Sequence, residues 1–112
     1  MTIEAAFNKY RIFLEGLNVE KLHHFPEHVA LDVEFKDPFH DISGLSRMQG
    51  IFKKLFDKVK GIEFAIINHA ISGRVVLFQW RLNGIIYGCS WTVEGMTRIT
   101  FNDEEKVTQH IE

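Results

Sequence analysis

A single cysteine, Cys89, and only two prolines stand among 112 residues. One thiol cannot form an internal disulfide, so a reducing, cytoplasmic setting is expected. No apolar run approaches the roughly 20 residues needed to span a bilayer. The opening MTIEAAFNKY carries acidic and polar residues where a signal peptide needs an apolar stretch. Contact with a membrane is therefore not expected. Excess charge of one sign is missing too: charged residues make up 25% and the formal net charge is -2, which provides no basic field for nucleic acid. The lysines at 53, 54, 58 and 60 fall on the polar side of a predicted helix, as a solvated face would. No GxGxxG or P-loop occurs, and GLSRMQG lacks the glycine spacing and strand context of a hydrolase nucleophile. No cofactor is expected.

What the chain has is apolar bulk: 46% hydrophobic residues, ten of them phenylalanine. That fills one core of ordinary size, and with no repeats or linkers a single domain over 1–112 is expected. Ile3, Phe7, Tyr10, Leu14 and Leu17 recur at helical spacing, predicting an amphipathic helix over 2–17 with Thr2 at its cap. Asn18 can cap a short second helix that Pro26 stops. A strand is predicted over about 31–37, then a loop, PFHDISG, then a third helix over about 46–59 ended by Gly61. The remainder reads as strands over about 62–72, 74–83, 86–101 and 106–112, with Ser72-Gly73, Asn83-Gly84 and Asn102-Asp103 as turns. Helices first and consecutive strands after them predict an α+β fold, with three N-terminal helices packed on the concave face of a curved, antiparallel or mixed sheet.

Within the first strand, Val33, Phe35 and Asp37 share one face, which sets a carboxylate in register with apolar residues. Two readings stand. Asp37 is a general acid or base at the wall of an apolar pocket, or its side chain accepts the Phe39 N–H in a turn fixed by Pro38. Tyr10, on the buried stripe of the first helix, either donates a hydrogen bond into the same space or is a core tyrosine.

The element order, with DPFHDISG before the long helix, FQW in a middle strand and WTVEG…TRITFN…KV near the end, resembles the nuclear-transport-factor-2-like superfamily over essentially the whole chain. That cone-shaped, cystatin-like fold is shared by ketosteroid isomerase, scytalone dehydratase and SnoaL-like polyketide cyclases. The motifs look most like those of bacterial SnoaL-like proteins. The resemblance implies that Asp37, in a matching Asp-Pro, stands where ketosteroid isomerase carries its catalytic aspartate. It likewise implies that Tyr10, in a similar Lys-Tyr context, stands for the tyrosine that donates to the oxyanion. The isomerase's second donor is a protonated aspartate; matching the Phe-Asn strand ending puts Thr97 at that place. A threonine is a weaker donor, which argues against steroid isomerisation as such. In similar proteins the last strand continues through an aromatic pair, so a short closing strand is expected here.

Thr97 alternates in register with Tyr87, Cys89, Trp91, Val93, Ile99 and Phe101. Phe35, Phe39, His69, Trp80, Tyr87, Trp91 and Val93 are the expected pocket lining, although Ile66-Ile67 breaks the alternation and leaves the face of His69 undecided. Cys89 is expected to be a small inner-face core residue. His40-Asp41 pairs an imidazole with a carboxylate, but sequence neighbours on a loop point apart. His23, His24 and His28 are separated by Pro26 and lack a completing ligand, so no metal site is expected. The expectation is a cofactor-free isomerase, cyclase or dehydratase acting on a small apolar carbonyl compound, or a non-catalytic module binding an apolar ligand or a protein through the same cone. Either is expected to form a homodimer through the outer sheet face, where Ile67, Ile71 and Ile86 are placed.

Overall fold

The structure, a computed structural model, describes residues 2–112. Helix α1 spans Ile3–Glu15, with the Thr2 hydroxyl accepting the Ala5 N–H at 3.1 Å; such a cap contributes about 1 kcal/mol. A 3-10 helix follows over Val19–Glu27, capped by Asn18, whose side chain accepts the Lys21 N–H. Pro26 lies inside it and does not stop it. The chain then forms strands β1 (Val29–Asp37) and β2 (His40–Ser43), helix α2 (Leu45–Lys58), and strands β3 (Lys60–Ser72), β4 (Val75–Ile86), β5 (Cys89–Phe101) and β6 (Val107–Ile111). The six strands make one sheet in the order β2-β1-β6-β5-β4-β3. All pairings are antiparallel except β1 with β6. Three helices on one side of a curved mixed sheet give the α+β architecture expected.

The stripe of α1 is used as its spacing predicts: Phe7, Tyr10 and Leu14 are buried against the sheet. Phe7, Phe25, Phe78 and Phe101 are fully buried, and each contributes about 1.5–3 kcal/mol by leaving water.

Three local predictions are corrected. PFHDISG is not all loop, because His40–Ser43 pairs back on β1 with Asp37 opposite His40. Asn83-Gly84 is not a turn. β4 runs on to Ile86, and the reversal falls at Tyr87-Gly88, with φ of 51° and 79°; positive φ at both loop residues suits a two-residue hairpin. Gly84 serves close packing instead, since a Cβ there would lie 2.2 Å from Val59 Cγ1. Asn83 accepts a cross-strand hydrogen bond from Thr92. Gly61 does not end α2, which stops at Lys58, and it lies instead at φ 59° near the start of β3.

The outer face also differs from expectation. The register of β3 shifts at Ile67, so Ile66 turns inward opposite Trp80 while His69 falls opposite the buried Phe78. The face of His69 is thereby fixed on the helix side. Ile71 pairs with the buried Val76, and Ile86 is in phase with the buried Gly84, so both belong to the helix side. The exposed apolar residues of the outer face are Ile67, Leu77, Ile85 and Met96. An Arg81–Glu94 ion pair at 3.2 Å and an Asn68–Gln79 hydrogen bond interrupt them.

Candidate functional site

Asp37 ends β1 in phase with Val33 and Phe35, and only 14% of its side chain is exposed. Its Oδ1 accepts the Phe39 N–H at 2.8 Å, the Asx contact that Pro38 sets up. A second donor joins it. His40, the residue opposite across the hairpin, has its Nδ1 2.9 Å and 3.1 Å from the two carboxylate oxygens. His40 therefore pairs with Asp37 and not with its neighbour Asp41, which lies 3.7 Å from Lys36 Nζ.

Beside β1, strand β6 brings His110 opposite Phe35. His110 is buried, its Nδ1 is 3.1 Å from the Tyr10 hydroxyl, and its ring stacks on Phe35 at 5.3 Å. Phe52 and Phe78 meet it edge-on. Desolvation in this aromatic surround pulls the His110 pKa down to about 4, and the negative charge of Asp37 opposes the fall. Burial pushes the Tyr10 phenol up, so both partners are neutral near pH 7. Desolvation, with the field of Asp37 added, raises Glu112 to about 7, although the residue as a whole remains exposed. Its N–H donates to the Lys36 carbonyl at 2.8 Å, continuing β6 along β1.

His110 is the site residue that sequence reasoning missed. Strict alternation from Val107 puts Gln109 and Ile111, not His110, on the inner face. An extra residue intervenes: Phe101 pairs with Val107 but Thr100 pairs with Gln109, leaving Thr108 as a bulge. Val107 and His110 then face inward together. The threonine hydroxyl also donates to the Thr100 carbonyl. Nothing in the residue types around Thr108 announces a bulge.

The row across the sheet reads Val76, Ile99, His110, Phe35, and the next row holds Phe78 and Thr97. Thr97 is buried, and its Oγ1 accepts the Trp80 indole N–H at 2.9 Å. Trp80 lies flat over Gly95, where a Cβ would come within 2.4 Å of the indole. His69 packs against Phe7 with ring centroids 4.6 Å apart. Trp91 and Val93 are half-buried on the helix-side face, and Phe35 is in the core. Two expected lining residues lie elsewhere: Phe39 is 89% exposed at the β1–β2 turn, and Tyr87 is 95% exposed at the hairpin apex. Cys89 is exposed as well, at the last pair of the β4–β5 hairpin beside the exposed apex. His24 bonds Glu27 and holds that carboxylate below its ordinary range. Among the described residues no three His, Cys, Asp or Glu side chains converge on a metal geometry.

The model of the SnoaL-like domain matches residues 10–110, from Tyr10 to His110. The chain belongs to the SnoaL-like domain family. Solved structures with the same fold include a nuclear-transport-factor-2-like protein of unknown function from Exiguobacterium sp. 255-15, 12% identical, with a TM-score of 0.80 over 95% of this chain and 94% of that one. A SnoaL-like protein from Jannaschia sp. CCS1, proposed to be a polyketide cyclase, is 19% identical, with a TM-score of 0.77 over 91% and 78% of the two chains. A member of the SnoaL-like family from Agrobacterium tumefaciens C58, proposed to be an isomerase, is 19% identical, with a TM-score of 0.76 over 99% and 96%. No curated protein sequence matches the chain. At these identities the likeness concerns the fold alone.

Proposed function

We propose that this SnoaL-like protein is one domain that moves a proton on a small, apolar carbonyl compound without a cofactor. The observation that carries the reading is the Asp37 carboxylate, held by the Phe39 N–H and His40 and acting electrostatically on the buried His110, which is hydrogen-bonded to Tyr10. Asp37 takes a proton from the carbon next to the carbonyl and returns it elsewhere, and His40 orients the carboxylate. Tyr10 and Thr97 stabilise the enolate oxygen. A tyrosine hydroxyl that accepts from a His110 Nδ1–H keeps its own hydrogen for the enolate. Thr97 is in the same position, since its oxygen accepts from Trp80. Fold neighbours proposed as an isomerase and a cyclase are compatible with such chemistry.

The test is deuterium exchange at the α-carbon of cyclic ketones, followed by NMR. Wild type is expected to catalyse exchange, and Asp37→Asn to lower the rate by about 100-fold or more. Equal rates in the two proteins would end the enzymatic reading.

The packing of Phe35, Phe52 and Phe78 around His110 favours a second reading, a non-catalytic module that opens to bind an apolar ligand or a protein. Val93→Trp would then block ligand uptake, and an unchanged isotherm would count against it. On either reading we infer a cytoplasmic homodimer joined through Ile67, Leu77, Ile85 and Met96. Sedimentation as a monomer at micromolar concentration would refute the dimer. The exposed thiol of Cys89 suits a reducing compartment.

A further inference from the structure

Away from the Asp37 group, α1 and the 3-10 helix leave a cleft of about 280 Å³ between them, lined by Lys9, Ile12, Phe13, Gly16, Lys21 and His28. Its floor is apolar. Ile12 is 72% exposed on a helix whose stripe residues Phe7, Tyr10 and Leu14 are all buried, so the core does not explain it. Phe13 is wedged between His28, stacked at 4.3 Å, and Phe25, met edge-on at 4.9 Å, so its ring is fixed. Gly16 contributes no side chain and leaves that end of the cleft unfilled.

The rim is cationic. No carboxylate lines the cleft. The nearest acid on α1, Glu15, is occupied on both oxygens, by Arg11 and by the Ile66 N–H. Desolvation, with the charge of Lys9 added and that of Glu27 opposing, lowers the His28 pKa, so this imidazole is neutral and offers a hydrogen bond and no charge. Glu27, the carboxylate whose field also reaches Lys9, is bonded to His24. Lys21 Nζ lies 3.8 Å from the Cβ position at Gly16, where it offsets the negative pole of α1. Among the described residues no carboxylate is within ion-pair distance of it. Two ammonium groups over an isoleucine and a fixed phenyl ring complement a molecule with one anionic end and an apolar body. The volume lies just below the range of about 300–1,000 Å³ typical of ligand sites, which suits a small one.

We propose that this cleft binds small amphiphilic carboxylates, with the carboxylate between Lys9 and Lys21 and the apolar body on Ile12 and Phe13. The cleft backs onto Tyr10, whose ring meets Phe13 and His28, but it shares no lining residue with Asp37, His110 or Thr97, and binding there does not depend on their activity.

The probe is sodium octanoate below its micellar concentration, with 1-octanol as the neutral counterpart, titrated into the ¹⁵N-labelled protein. Saturable shifts are expected at the amides of Ile12, Phe13, Gly16 and Lys21, with octanoate bound about fivefold or more tighter than octanol. Lys21→Met should remove most of that preference, Ile12→Ser should weaken both ligands, and Asp37→Asn should change neither. Absence of saturable shifts at these amides, equal affinity for acid and alcohol, no effect of Lys21→Met, or shifts centred on Asp37 and His110 would each overturn the proposal.

Discussion

The largest loss of stability on acidification should come from one imidazole, opposed over much of the same range by Glu112, whose raised pKa lets the folded chain take up a proton first. In the folded chain His110 has a pKa of about 4, whereas its ordinary value is 6.5. The unfolded chain therefore binds a proton at this residue between those values and the folded chain does not. Stability from this group is complete above pH 6.5, declines as pH falls, and stops declining below about 4. At about 1.4 kcal/mol per unit, the difference comes to about 3 kcal/mol, a large share of the 5–15 kcal/mol typical of a domain. The assay is urea unfolding from pH 7.5 to 4, followed through the fluorescence of Trp80 and Trp91. The comparison is His110→Gln, whose amide still reaches the Tyr10 hydroxyl but does not titrate. At pH 7.5 the variant should be less stable by about 1–3 kcal/mol, from lost stacking and imperfect bonding. Its stability should fall less steeply with acid, by the amount assigned to the imidazole. Parallel curves for the two proteins would refute the account, because they would mean that His110 is not buried as the neutral form.

Other perturbations follow from close contacts. Gly95→Ala places a methyl group against the Trp80 ring and should cost about 1–3 kcal/mol, read as a lower urea midpoint with unchanged slope. Trp80→Phe removes the donor to the buried Thr97 oxygen and should cost about 1–3 kcal/mol, and Trp80→Phe with Thr97→Val should recover part of it in a double-mutant cycle. Gly88→Ala meets a φ of 79° and should lower stability by about 1 kcal/mol without altering the far-ultraviolet circular dichroism.

Much of the fold is legible because its signals are local. The stripe of α1, the Thr2 and Asn18 caps and the alternation through Thr97, Ile99 and Phe101 all report their own surroundings. Asp37 is legible for the same reason, since Val33 and Phe35 fix its face. What escapes is set by partners distant in sequence. Asn-Gly at 83 and 84 has turn chemistry, yet Gly84 is required by the approach of Val59. The real turn at Tyr87 demands a positive φ from a bulky aromatic, which propensity disfavours. Ile71 and Ile86 are misassigned because the shift at Ile67 and the longer β4 change the phase. His40 meets Asp37 only because β2 folds back on β1, and His110 meets Tyr10 only because a residue is bulged out of β6.

That bulged threonine makes the interior sensitive to counting. Removing one residue between Phe101 and Gln109 would slide β6 by a single position and rotate each later side chain through the sheet. The imidazole would be delivered to solvent and an amide or an isoleucine to Tyr10, with every other contact residue unchanged in identity. Among relatives whose β5–β6 connection differs in length by one, the partner of the helix tyrosine should therefore change chemical type. Aligning such chains by residue similarity alone would pair a buried histidine with a surface one.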